Sequence, residues 1–109
     1  MEIKDKTFRI FDEIWKIKFV EGLKYPNDDA DSDTRYTFGI TDSVKHIIKI
    51  NTINEEGKPH TKEVLQHTLA HELVHAFLDS GQYIQSSQDE PMVEWLGRCV
   101  ISIIKQKIL

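Results

Sequence analysis

The first half of the chain alternates between apolar and polar residues. Residues 14–20 show the strictest alternation, with Trp15, Ile17 and Phe19 set against Lys16 and Lys18. Such alternation predicts a strand that is buried on one face only. Residues 7–11, 36–40 and 44–51 are also rich in β-branched or aromatic side chains, and we predict them to be strands. The break at residues 12–13 fits either a turn between two strands or a bulge within one long strand.

The second half of the chain changes to helical spacing. Apolar residues between positions 64 and 78 form a broad surface, and this helix is predicted to begin near Thr61 and to end at Gly81. A second helix is predicted from Pro91 to about residue 108, because proline is favoured at the first helical position. The apolar face of that helix holds Val93, Leu96, Val100, Ile103 and Ile104. Four strands followed by two helices predict an α+β domain with a meandering, mostly antiparallel sheet.

Composition narrows the class of protein. The chain has 109 residues, which suits a single domain over residues 1–109. Its net charge of −4 and the lack of a basic stripe in the sequence argue against a nucleic-acid partner. The single cysteine, Cys99, excludes an internal disulfide and is expected to be a small buried apolar residue. With neither a signal-like nor a membrane-spanning segment in the sequence, we expect a cytoplasmic protein.

An acidic segment precedes the third predicted strand. Residues 25–33 include aspartates at alternate positions, Asp29, Asp31 and Asp33. This spacing is that of the first ligands of a calcium-binding loop, but the glycine and glutamate positions of such a loop hold Thr34 and Ile40. We therefore predict a solvated, mobile loop without calcium.

The candidate metal-binding and catalytic residues lie in the predicted first helix. It contains His71-Glu72-Leu73-Val74-His75, an HExxH motif. Histidines one helical turn apart project from the same face, so both can bind one metal ion at about 2.0–2.1 Å. The carboxylate of Glu72 can then take a proton from a water molecule activated by the metal. Unpaired imidazoles and a carboxylate would be costly on this apolar helix, which favours a metal site over a chance match.

A catalytic zinc site needs a third protein ligand. The acidic residues that follow His75 are Asp79, Asp89, Glu90 and Glu94. Glu94 lies inside the predicted second helix and Glu90 at its start, and a rigid element holds a ligand better. We therefore predict Glu94 as the third ligand and keep Glu90 as the alternative. Asp79 fits either a contact with His75 from outside the metal site or a plain surface position.

These motifs resemble the gluzincin metallopeptidases. Residues 68–77 around HExxH and residues 93–97 around Glu94 are similar to the very small phage- and prophage-encoded members and to the ImmA/IrrE-type peptidase domain. Residues 39–50 look like the sheet segment that precedes HExxH in those proteins. The resemblance implies a minimal zincin-like fold, zinc bound by His71, His75 and a glutamate, and Glu72 as the general base. It also implies that the strand at residues 44–51 can pair with an extended peptide.

After the third ligand, the sequence departs from the pattern of the families that it resembles. In thermolysin-like and ImmA/IrrE-type sequences, an aspartate or asparagine follows the ligand glutamate by four residues. Glu90 followed by Glu94 would mimic that spacing, so the third ligand stays open between them. For the group that stabilises the transition state, Tyr83 and His46 are the weak candidates. His67 is expected at the edge of the cleft, because three histidines over two turns span about 12 Å and cannot share one ion.

The function predicted from the sequence is that of a zinc-dependent metallopeptidase acting on a peptide or protein substrate. The alternative is a zinc-binding domain that binds a partner protein without proteolysis. A purely structural zinc site is disfavoured, because such sites use four protein ligands and usually cysteines.

Overall fold

The computed structural model describes residues 4–24 and 36–106. In these ranges the chain forms four strands and three helices, namely β1 (Lys6–Ile10), β2 (Glu13–Val20), β3 (Gly39–Asp42), β4 (Ile47–Asn51), α1 (Lys62–Ser80), α2 (Ile84–Ser87) and α3 (Glu90–Gln106). Four strands and both predicted long helices are present, so the α+β class is confirmed, but the third strand lies at Gly39–Asp42 rather than 36–40 and the fourth begins at Ile47 rather than at residue 44. Residues 11–12 form a turn between β1 and β2, so the break in the pattern is a turn and not a bulge within one strand. The predicted acidic loop at residues 25–33 lies outside the described residues.

The sheet is mixed, and its strand order is β1-β2-β4-β3. The predicted meander is therefore wrong: β2 and β4 are parallel neighbours, while β1 pairs with β2 and β3 pairs with β4 in antiparallel fashion. Burial agrees with this order. Ile48 and Ile50 on β4 are fully buried, which suits a strand with a neighbour on each side. The four residues of β3 are only half-buried, as suits a short edge strand.

The core lies between one face of the sheet and α1. Its buried residues are Ile10, Trp15, Ile17, Ile48, Ile50, Leu65 and Ala76. Trp15, Ile17 and Phe19 all lie on this face, as the alternation predicts, although Phe19 is only partly buried. Lys16 and Lys18 lie on the opposite face. The sheet therefore holds α1 against its apolar side.

The ends of both long helices have clear local causes. α1 begins after Thr61, whose side chain accepts a hydrogen bond from the Val64 amide at 3.2 Å, and it ends at Gly81, as predicted. α3 begins at Glu90, one residue before the predicted start, because Asp89 accepts a hydrogen bond from the Met92 amide at 3.2 Å. Glu90 is therefore in the first turn of α3.

Close packing joins α1 and α3 at a glycine. A Cβ atom at Gly97 would lie 3.2 Å from the backbone nitrogen of His71, so the two helices approach at the level of the motif.

The predicted apolar face of α3 is only partly covered. Val93 is fully buried, whereas Leu96, Val100, Ile103 and Ile104 are exposed. None of the helices in residues 4–24 and 36–106 has the length and apolar character needed to cross a membrane.

Candidate metal centre

His71 and His75 project from one face of α1 into the same cleft. Both are half-buried, and their ring centroids lie 5.0 Å apart with the rings tilted by 66°. This is the arrangement expected for histidines one helical turn apart. The helix is held against the sheet on its other side, so the two imidazoles are presented by a rigid element.

Glu90 completes a set of three metal-ligating side chains. One of its carboxylate oxygens lies 2.9 Å from Nε2 of His71, and the other lies 3.1 Å from Nε2 of His75. One ligand atom from each of His71, His75 and Glu90 lies within 4.8 Å of the other two. Within residues 4–24 and 36–106, this is the group of side chains that is placed to hold a metal ion. Two imidazoles and a carboxylate are the donor set of a catalytic zinc site. The residues present therefore fit a zinc ion.

Glu94 occupies a different position from the one predicted. Its carboxylate lies 2.8 Å from Nδ1 of His71, on the other ring nitrogen from the one that faces Glu90. The structure thus places Glu90, the alternative ligand, against Nε2 of both histidines, and it places Glu94 against Nδ1 of His71 only. α3 begins at Glu90, so this residue lies in the first turn of the helix with its carboxylate against the two imidazoles. The geometry favours Glu90 as the ligand and Glu94 as the residue that orients His71.

His75 is oriented by a residue that the sequence did not single out. Its Nδ1 is hydrogen-bonded to Oγ of Ser87 at 3.0 Å, so that its Nε2 faces Glu90. Ser87 is buried at the end of α2. In the sequence it is one of two adjacent serines in a polar connection, and no signal distinguishes it. Asp79, considered for this role, is instead hydrogen-bonded to Oγ of Ser43.

Glu72 is held beneath the histidines by the edge strand. It is only 6% exposed, and Oγ of Thr41 lies 3.1 Å from its Oε1 and 3.0 Å from its backbone oxygen. Gly39 leaves room for it, since a Cβ atom there would lie 2.9 Å from Cγ of Glu72. Burial raises the pKa of Glu72, and the neighbouring His75 and His71 oppose that rise. A carboxylate with a raised pKa is a better proton acceptor.

A cleft of about 690 Å³ runs between β3 and α1 and contains the candidate site. Its lining includes Gly39, Thr41 and, along α1, a row at four-residue spacing: Glu63, His67, His71, His75 and Asp79. His67 is exposed at the edge of this cleft, as predicted. The strand that borders the cleft is β3. The expectation that residues 44–51 can pair with a peptide is wrong, because β4 lies inside the sheet between β2 and β3.

The two weak candidates for stabilising a transition state lie away from the cleft lining. His46 is stacked on Trp15 with ring centroids 4.7 Å apart, and its Nε2 lies 3.0 Å from a carboxylate oxygen of Glu13. Tyr83 is 64% exposed, and its ring lies against Gly81. His46 therefore packs beside the start of β4, whereas Tyr83 is a largely exposed residue just beyond the end of α1.

Comparisons of the chain with protein-family models, with curated proteins and with solved structures gave no match. The resemblance to gluzincins therefore rests on the HExxH motif and the glutamates that follow it.

Proposed function

We propose that this chain is a zinc-dependent peptidase of the gluzincin type with a minimal zincin-like fold. The observation that carries the proposal is the convergence of His71, His75 and Glu90 at the floor of a cleft, with the buried carboxylate of Glu72 beside them. In this proposal, His71, His75 and Glu90 hold the ion. Glu94 and Ser87 orient the two imidazoles from behind.

Glu72 is the general base of the proposed reaction. A zinc ion held by the three ligands would polarise the scissile carbonyl and lower the pKa of a water molecule. Glu72 takes a proton from that water molecule while the water oxygen attacks the carbonyl carbon. It then passes the proton to the nitrogen of the leaving amine as the C–N bond breaks. Thr41 holds the Glu72 carboxylate in place through both steps.

The proposed substrate is a peptide in extended conformation along β3. Within residues 4–24 and 36–106, this strand pairs with β4 alone. The Asn51 amide donates a hydrogen bond to the Phe38 carbonyl at 2.8 Å, so the backbone of Phe38 faces β4. In an antiparallel pair, successive residues direct their backbone groups alternately toward and away from the partner strand. The N–H groups of Gly39 and Thr41 therefore point to the open edge of the sheet. These groups can bind the backbone of an added strand beside the candidate metal site.

The test separates metal binding from hydrolysis. The parent protein, loaded with zinc, is assayed on an unfolded protein and on a mixed peptide library, with cleavage measured by mass spectrometry. Glu72→Gln should keep about one zinc per chain and the parent circular dichroism spectrum, yet lose cleavage, because an amide cannot accept the proton. Turnover by Glu72→Gln at the parent rate would contradict the role of Glu72. Zinc binding without turnover by the parent would favour the non-proteolytic binding domain instead.

A further inference from the structure

We propose that Asp79 is a specificity-determining residue that recognises a basic side chain in the bound peptide. This inference rests on the proposed function, since it concerns the same cleft. Asp79 lies one helical turn beyond His75 on α1, and it lines both the main cleft and a smaller adjoining cavity of about 500 Å³. Its carboxylate is therefore accessible from the space that a peptide passing the histidines would occupy.

The Asp79 carboxylate has a defined orientation. It is half-buried, and one of its oxygens, Oδ2, accepts a hydrogen bond from the hydroxyl of Ser43 in the turn between β3 and β4. Among residues 4–24 and 36–106, the other oxygen, Oδ1, has no hydrogen-bond partner, so it can accept a bond from a ligand. A group that is already held in place loses little conformational entropy on binding, which favours its use in recognition.

No basic side chain of the described residues faces Asp79 in the cleft. Among the described residues, no lysine or arginine lines either cavity, and Asp79 forms no ion pair. The carboxylates of Glu72 and Glu90 also line the cleft, but the zinc ion of the proposed function would offset their charge. The charge that faces a ligand beyond the ion is therefore that of Asp79, and a carboxylate without a basic neighbour attracts a group of the opposite sign. The ligand feature that fits Asp79 is therefore the ammonium group of lysine or the guanidinium group of arginine.

Helix and strand geometry locate the recognised residue in the peptide. Asp79 is four positions beyond His75 on α1, which corresponds to about 6 Å along the helix axis. An extended peptide advances about 3.3 Å per residue. The basic residue should thus lie about two positions from the cleaved bond, on the side of the peptide that passes Asp79.

The experiment uses peptides that differ at a single position. Lysine, the uncharged norleucine or glutamate is placed in turn at each of three positions on either side of the cleaved bond, and kcat/KM is measured for the zinc-loaded parent, Asp79→Asn and Glu21→Gln. The side-chain carbonyl introduced by Asp79→Asn can still accept the Ser43 hydrogen bond, and Glu21 is an exposed acid outside the cleft that controls for loss of charge. At one position, Asp79→Asn should lower kcat/KM for the lysine peptide about three- to tenfold and leave the norleucine peptide unchanged. Equal losses for both peptides would mean that Asp79 only supports the structure.

A second assay keeps this proposal independent of turnover. A fluorescein-labelled peptide series of one sequence, with lysine, norleucine or glutamate placed in turn at every position, is titrated into zinc-loaded Glu72→Gln and into Glu72→Gln/Asp79→Asn, with binding followed by fluorescence polarisation. A preference for lysine that disappears in the double variant supports recognition by Asp79 even if the parent cleaves nothing, in which case only the peptidase proposal falls. Cleavage or binding without any preference for lysine, or no binding of any peptide, overturns the role of Asp79.

Discussion

Glu94 faces His71 from the side opposite to Glu90. The Glu94 carboxylate lies 2.8 Å from Nδ1 of the imidazole, and that of Glu90 lies 2.9 Å from Nε2. A hydrogen bond from Nδ1–H to Glu94 leaves the Nε2 lone pair for a metal ion, so this contact selects the tautomer that binding requires. The relationship gives the two glutamates different roles that experiments can separate.

Removing Glu90 should weaken zinc binding far more than removing Glu94. In our proposal Glu90 binds the ion itself, whereas loss of an orienting partner such as Glu94 typically costs about 10–100-fold in affinity. We expect Glu90→Ala to release zinc to a mild chelator well before Glu94→Ala does, as measured by elemental analysis after dialysis. Circular dichroism should show that both variants remain folded. The reverse order would make Glu94 the ligand, and negligible loss from both variants would exclude a carboxylate ligand from α3.

The hydroxyl of Thr41 should matter for turnover rather than for zinc binding. Thr41→Val preserves the shape of the side chain but removes the hydrogen bond to Glu72, and a bond to a charged group is worth about 1.5–3 kcal/mol. We expect kcat to fall about tenfold or more, with zinc content unchanged. Thr41→Ser keeps the hydroxyl and should restore most of the parent rate. Equal rates for the valine and serine variants would show that Glu72 needs no support from β3.

Gly97 should be required for the close approach of α3 to α1. In Gly97→Ala the new Cβ would meet the His71 backbone nitrogen at 3.2 Å, and backbone in the middle of a helix yields little. Overpacking costs about 1–3 kcal/mol, against a gain of about 1 kcal/mol in helix propensity. Thermal unfolding of the zinc-free protein should show a lower melting temperature. Ser102→Ala, an exposed change on the same helix, should stay within about 0.5 kcal/mol of the parent.

The contribution of Glu72 to the stability of the zinc-free protein should fall as the pH rises. Burial raises the pKa of Glu72 above its ordinary value of 4.5. Between that value and its raised pKa, the folded state binds more protons than the unfolded state, so the free energy of unfolding decreases with increasing pH. Glu72→Gln removes this titration. We expect the variant to gain stability relative to the parent as the pH rises from 4.5, measured by urea unfolding at a series of pH values. A difference that does not change with pH would show that Glu72 keeps an ordinary pKa.

Local patterns in the sequence determined the secondary structure and the first part of the site. The alternation around Trp15 and the apolar spacing of α1 predict a strand and a helix, because each period follows from backbone geometry alone. HExxH places His71 and His75 on one face for the same reason. The ends of α1 were also predictable, since Thr61 and Gly81 act on their immediate neighbours.

The tertiary structure decided how these elements combine. β4 lies inside the sheet, between β2 and β3. The alternation of apolar and polar residues predicts a strand and its buried face, but it does not specify which strands become neighbours. The positions of Glu90 and Glu94 depend on the capping of α3 by Asp89 and on the close packing of Gly97 against α1. A shift of one turn along α3 exchanges the two glutamates. The partners Ser87 and Thr41 likewise come from distant parts of the chain, so only the packing of helices and sheet brings them to His75 and Glu72.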